Sequence, residues 1–325
     1  MSSPAALPML QVRVARKQTE ALGICSFELV PRNGQPLPAF TAGAHVDVLL
    51  EGGLVRQYSL CNAPHETHRY VIGVLRETAS RGGSQAMHEQ IQEGTVLSIS
   101  APKNHFALAE GAAHSILLAG GIGVTPLLSM AEALSARSEP FELHCCTRSS
   151  ERTAFKARLA AAPFADRVAL HHDDGPQEQK LALDAVLGGL REHVHLYVCG
   201  PKGFMDAVLN RARELGWPEA QLHCEYFSAE PTPTTGQTAF EVQIASSGQI
   251  VVVPADKTVV QALAAAGVEV LTSCEQGVCG TCLTRVLHGE PDHKDLYLTP
   301  EEQAANDQFT PCCSRSRSAR LVLDL

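Results

Sequence analysis

The sequence predicts a multidomain chain: a small closed β-barrel, an α/β domain with a doubly wound parallel sheet, and an α+β domain of plant-type ferredoxin layout. Three observations predict it. Short, alternating apolar runs punctuated by Gly, Pro and Asn fill residues 10–100. Strand-like runs then alternate with helix-like runs as far as Phe227. Near the carboxyl end, Cys274, Cys279 and Cys282 stand at C-x4-C-x2-C spacing, with Cys312 and Cys313 downstream.

The first domain is expected over 1–109. Its strands are LQVRVARKQ, ICSFELV, HVDVLL, RQYSL, RYVIGVLR and TVLSIS, which is the number a small barrel needs to close on itself. One helix is expected there, from Ser84 to Ile91. Arg56-Gln57-Tyr58-Ser59 sets an arginine, an aromatic ring and a hydroxyl at a strand end. Arg81-Gly82-Gly83-Ser84 sets a second arginine at a helix start, where exposed backbone N–H groups and a guanidinium make a phosphate clamp. Taken alone, RGGS is more often just a turn.

The second domain is expected over 110–228. The continuous apolar run HSILLA ends in Gly120-Gly121-Ile122-Gly123-Val124-Thr125-Pro126, and HVHLYVCG ends in Cys199-Gly200-Pro201-Lys202. Strands without alternation are buried on both faces, so a parallel sheet follows, and ligands belong at its carboxyl edge. GGIGVTP is not the G-x-G-x-x-G fingerprint; it reads either as a tight turn or as a place where a nucleotide approaches the backbone. Arg148, after a strand end, reads equally as a solvated side chain or as a neighbour of a cofactor ribose.

The Pro- and Thr-rich stretch 229–238 reads as a linker. Over 239–325 the expected elements are strands FEVQIAS and QIVVVP, a helix VVQALAAAG, the cysteine loop, a strand TRVLHG, a helix near PEEQAAND and a closing strand RLVLDL. The thiol spacing fits a 2Fe-2S cluster, and Gly277 and Gly280 lie where the backbone must turn its N–H groups toward the sulfurs. Cys279-x2-Cys282 also suits half a zinc site or a redox pair, but no second C-x2-C exists and LTRVL follows as a strand. By spacing alone the fourth ligand is Cys312 or Cys313.

Composition narrows the class. The chain has 325 residues, a net charge of −9 and 11 cysteines. That charge argues against a nucleic-acid surface, and no apolar run is long enough for a membrane span. The N-terminus lacks a basic segment ahead of an apolar core, and scattered, odd-numbered cysteines suit a reducing cytoplasm. His144, His171, His172, His288 and His293 show no metal spacing and read as ordinary surface or core histidines.

In chain order, RQYSL, SRGGS, AGGIGVTPLLSM, YVCGPKGFMD, HCEYF, CEQGVCGTC, GEPDHKD and CCSRSRSARLVLDL together resemble the phthalate dioxygenase reductase family. That family also contains the reductases of vanillate-type O-demethylases and related Rieske oxygenases. The resemblance spans essentially the whole chain. It implies an N-terminal FMN barrel, a central NAD domain and a C-terminal 2Fe-2S domain.

The resemblance places Arg56, Tyr58 and Ser59 on the flavin, with Arg81, Gly83 and Ser84 on its phosphate side. Gly120, Gly121, Gly123, Thr125, Cys199, Gly200 and Pro201 match the nicotinamide-cofactor turns, and Phe227 an aromatic near the flavin face. Cys274, Cys279, Cys282 and Cys312 match the cluster ligands, which selects Cys312 over Cys313. The implied function is an NADH-dependent reductase in which flavin converts a hydride's electron pair into single electrons for the cluster. No residue need act as an acid or base. No cysteine here is followed by histidine at C-x-H or C-x2-H offsets, so the Rieske-type oxygenase is a separate polypeptide. Three tandem motif sets are compatible with a monomer. The alternatives are a cluster-bearing redox sensor or binding subunit without turnover, and a reductase serving another protein acceptor.

Overall fold

The computed structural model describes residues 9–78, 82–188, 192–227 and 237–325. It divides into two compact units, residues 1–225 and 226–325.

The first unit opens with β1 (Leu10–Ala21), β2 (Ile24–Pro31), β3 (His45–Leu49), β4 (Val55–Ser59), β5 (Tyr70–Leu75), α1 (Gly83–Glu89) and β6 (Val96–Ile99). Strand order is β4-β3-β6-β1-β2-β5, and every pairing is antiparallel. The sheet closes where the chain leaving β4 meets β5, through the Leu60–Ile72 bridge and the Cys61 N–H donating to Val71 O at 2.9 Å. Closure leaves no open edge at this seam, and the inward residues Val12, Val14, Phe27, Leu29, Val46, Val48, Ile72 and Ile99 form the barrel core.

Next come β7 (His114–Gly120), α2 (Val124–Ala136), β8 (Phe141–Thr147), α3 (Lys156–Ala161), β9 (Val168–His172), α4 (Leu183–Leu187), β10 (Val194–Cys199), α5 (Lys202–Glu214) and β11 (Leu222–Glu225). They build a parallel sheet of order β11-β10-β7-β8-β9. Leu117 and Ala119 of β7 share a core with α2. The alternate residues Ile116, Leu118, Leu196 and Val198 are equally buried, and α5 contacts β10. Burial on both faces is why these strands lack a polar alternation.

The boundary expected at 109/110 falls between two sheets of one unit. A single core joins Ile24, Ala42, Cys61 and Phe106 from the barrel side to Leu117, Leu127, Met130, Phe155 and Tyr197 from the parallel-sheet side. Gly73 of β5 makes the seam tight: a Cβ there would come within 2.8 Å of Thr125 Cγ2 and 3.2 Å of the Phe155 ring. The expected linker lies almost wholly outside the described residues.

The second unit contains β12 (Phe240–Ile244), β13 (Ile250–Val253), α6 (Val259–Ala265), β14 (Thr284–His288), β15 (Pro291–Asp292), α7 (Pro300–Ala305), β16 (Gln308–Phe309), β17 (Arg315–Ser316) and β18 (Arg320–Leu323). The main sheet runs β13-β12-β18-β14-β16, with β12 and β18 parallel, and a small β15–β17 pair stands beside it. Thr258 and Thr299 begin α6 and α7 with reciprocal capping boxes to Gln261 and Glu302, which satisfies N–H groups the helices cannot use themselves. Arg315, almost wholly buried, donates to the carbonyls of Lys257, Thr238 and Pro254 and lies over the Phe240 ring.

Candidate functional site

Three sets of candidate residues are assembled by this fold. The first lies on the barrel. Arg56 and Tyr58 stand on β4, and Ser59 ends it, 5% exposed. Gly83, at the start of α1, lies directly under the Arg56 side chain: a Cβ there would come within 2.7 Å of Nε. The two motifs separated in sequence are therefore one cradle, and Gly83 is glycine because a guanidinium crosses it. Ser84 Oγ accepts from the Glu77 N–H at 3.1 Å. Burial pushes the Tyr58 phenol well above its ordinary range, so its hydroxyl stays protonated and able to donate. Arg81 lies outside the described residues.

The second set lies where the parallel sheet reverses its order, between β7 and β10. Gly120-Gly121 and Cys199-Gly200-Pro201 end these adjacent strands, and their backbones touch. A Cβ on Gly200 would lie 2.8 Å from Gly120 Cα, and one on Gly123 would collide with Cys199 O and C. Gly121 differs. It has φ +55°, and among the described residues beyond its chain neighbours no atom lies within 4 Å of where its side chain would begin. Gly120, Gly123 and Gly200 therefore close the turns on each other, whereas Gly121 offers its backbone to whatever approaches. Thr125 is 1% exposed, donates to Ile122 O at 3.0 Å and packs on Gly73, which places it at the seam with the barrel. Arg148 is exposed past the end of β8.

Glu225, inside HCEYF and without a signal of its own in the sequence, joins these two sets. It ends β11, and Ser59 Oγ donates to its Oε2 at 3.3 Å. Burial raises its carboxyl from 4.5 to about 8, against the downward pull of the Ser59 hydrogen bond. Cys199, fully buried, has its thiol pushed far up by burial, with the Glu225 charge adding to the effect. Phe227, two residues beyond Glu225, is 39% exposed and belongs to the second unit.

The third set is the cysteine loop. Cys274 hydrogen-bonds Cys279 and Cys312, and Cys312 in turn hydrogen-bonds Cys282 and Cys313. The four sulfurs expected as ligands thus converge in one place. Backbone N–H groups of Gln276 and Val278 point at Cys274 Sγ, at 3.3 and 3.5 Å, and that of Thr281 at Cys279 Sγ, at 3.4 Å. Those donors would offset negative charge on the sulfurs, so the residues fit an iron–sulfur cluster. Both loop glycines have positive φ and no room for a side chain: Gly277 faces Cys313 Sγ and Asp295, Gly280 the Tyr297 ring. Hydrogen bonds from the Cys279 and Cys312 thiols hold the Cys274 thiol far below its ordinary value.

Asp295 lies in the GEPDHKD motif. Its side chain is fully buried, accepting from the Leu298 N–H at 2.8 Å and from Ser314 Oγ at 3.3 Å. Ser314 also accepts from the Lys294 N–H and contacts Thr310 Oγ1, so the turn carrying Cys312 and Cys313 is tied to the 291–298 segment. A lone Asp among surface-like residues gives no signal of this in sequence.

Comparison with known proteins bears on the whole chain. Residues 242–317 match the family model of the 2Fe-2S iron-sulfur cluster binding domain, and 99–222 match that of the dimethylamine monooxygenase subunit DmmA-like N-terminal domain. A vanillate O-demethylase oxidoreductase of Pseudomonas putida is 56% identical over 98% of this chain and 100% of its own length. The phthalate dioxygenase reductase of Burkholderia cepacia is 39% identical over 100% of both. The chain belongs to the phthalate dioxygenase reductase family. A solved phthalate dioxygenase reductase, described as a modular structure for electron transfer from pyridine nucleotides to [2Fe-2S], matches with TM-score 0.75 and 40% identity over 98% of both chains. As a member of this family the chain is an oxidoreductase, of the kind that serves as the reductase component of an oxygenase system. Its expected architecture of barrel, parallel-sheet domain and ferredoxin domain is the observed one. No helix among the described residues is long and apolar enough to cross a membrane.

Proposed function

We propose that the chain takes electrons from NADH, passes them by way of FMN to a 2Fe-2S cluster held by Cys274, Cys279, Cys282 and Cys312, and delivers them to a separate Rieske-type oxygenase. The observation that carries this reading is the joining of the barrel cradle to the sheet's switch point by the Ser59–Glu225 hydrogen bond, in a chain whose other unit gathers four thiols. NADH, FMN and the oxygenase partner come to this chain from its relatives.

Arg56, with Arg81, Gly83 and Ser84, would hold the flavin phosphate, and Tyr58 and Ser59 would line the isoalloxazine. Gly121 would let the nicotinamide cofactor approach the backbone closely, with Gly120, Gly123, Thr125, Cys199, Gly200 and Pro201 fixing the turn geometry around it. Phe227 would stand at the flavin face. Bound flavin supplies the exchange between a two-electron hydride and single electrons. The chain's own part is alignment: the turns fix where the hydride donor lies, and Ser59 and Glu225 border that place. We place the protein in the cytoplasm, where thiols stay reduced and none of the 11 cysteines is paired in a disulfide, and expect it to act as a monomer.

Anaerobic titration with NADH tests the reading. Flavin absorption that bleaches on addition of NADH supports it, and purified protein without flavin bands, or with bands NADH leaves untouched, overturns it. Cys279→Ser should keep flavin reduction and lose transfer to a one-electron protein acceptor. Retained transfer would remove the cluster from the route.

A further inference from the structure

The second unit contains five cysteines, Cys274, Cys279, Cys282, Cys312 and Cys313, and all five lie in the cluster loop or the turn facing it. The cluster reading uses four. We propose that Cys313 is a reserve ligand: when the Cys312 sulfur is lost, Cys313 takes the fourth position and the cluster is retained. The inference rests on the ligand assignment made above.

Three observations carry it. Cys312 and Cys313 are neighbours in the chain and their side chains interact with each other, so the two sulfurs lie in the same part of the turn. Cys313 Sγ also lies inside the loop. It faces Gly277, which lies between Cys274 and Cys279 in the chain, so closely that a Cβ at 277 would collide with it. The turn is also built to present both thiols. The N–H groups of Cys313 and Ser314 both donate to Thr310 O, at 3.2 and 2.9 Å, and Asp295 anchors Ser314 from behind. Thr310 Oγ1 lies 3.2 Å from Cys313 Sγ, a hydroxyl able to donate to that sulfur once it carries charge.

The exchange balances simply. The bond from iron to the Cys312 sulfur is absent, a bond from the same iron to Cys313 Sγ forms, and the Cys313 thiol proton leaves to solvent; no electron is transferred. The remaining cysteines of the chain belong to the first unit and do not enter.

The test measures iron, acid-labile sulfide and the electron paramagnetic resonance of the reduced, full-length protein. Wild type and Cys313→Ala should carry the full complement, and Cys274→Ala should carry almost none. Cys312→Ala should keep most of its iron with shifted g values, and Cys312→Ala/Cys313→Ala should fall to the level of Cys274→Ala. Iron loss in Cys312→Ala equal to that in Cys274→Ala, or equal retention in the single and double variants, overturns the inference. Wild type without iron would instead overturn the ligand assignment. Should Cys312→Ala fail to fold, Cys312→Ser decides. Its absorption and g values should report four thiolates and should change when Cys313→Ala is added. Identical spectra with and without Cys313 overturn the proposal.

Discussion

Ser59 at the end of β4 donates its hydroxyl to Glu225 at the end of β11, across 166 residues of sequence and 3.3 Å of space. Burial holds the Glu225 carboxyl up, at about 8 rather than 4.5. The folded state therefore keeps a proton that the unfolded chain releases, and its stability falls as pH rises from about 4.5 to about 8. Glu225→Gln, neutral throughout, should remove this decline, which partial solvation limits to on the order of 2 kcal/mol. Thermal unfolding of both proteins at about pH 5 and about pH 8 measures it. Parallel curves would show that the carboxyl is not held protonated.

Gly121 and Gly123 are separated by one residue and should behave differently. Alanine at 123 collides with the Cys199 carbonyl, so it should push β7 and β10 apart and destabilise the first unit by several kcal/mol. Alanine at 121 meets none of the described residues beyond its chain neighbours and costs only about 1 kcal/mol for its φ of +55°. It should leave the melting curve nearly unchanged while raising the KM for NADH by roughly tenfold, about 1.4 kcal/mol of lost approach. Equal effects of the two on stability would count against separate roles.

The cluster loop gives a third expectation. Gly280 lies flat against the Tyr297 ring, with φ +67°. Gly280→Ala should force the ring or the loop to move and should lower iron content. Gly280→Ala/Tyr297→Ala, which makes room, should recover part of it. Iron analysis of both variants decides; failure of the second change to recover any iron would mean that backbone strain, not the ring, is responsible.

The difference between these glycines marks how much the sequence made legible. Periodicity located the barrel, the parallel sheet and the ferredoxin domain, because Val, Ile and Leu at regular spacing leave few choices of buried face. Cysteine spacing located the metal loop, because the ligands lie close together in the chain. Contacts between distant segments were not legible. Nothing near Arg56 indicates that Gly83 lies beneath it, and nothing in HCEYF indicates that Glu225 meets Ser59. Arg315 was visible only within a family motif, although it ties three carbonyls together. The two-residue strands β15, β16 and β17 are too short to carry a periodic signal.

Last in the sequence is β18, yet it lies inside the sheet, parallel to β12 on one side and antiparallel to β14 on the other. Leu321 and Leu323 are both fully buried, so a chain ending at Arg320 loses two core side chains, about 3–6 kcal/mol, as well as both ladders. That is a large share of the roughly 5–15 kcal/mol that holds a domain folded. The truncated protein should lose iron and become protease-sensitive from residue 239 onward, while the first unit, with its own core, should keep its flavin and its reduction by NADH. Leu321→Ala, at about 2–5 kcal/mol, should give a milder form of the same split. Absorption, iron content and limited proteolysis report the two units separately. Loss of flavin together with iron would mean that the first unit depends on the second for its fold.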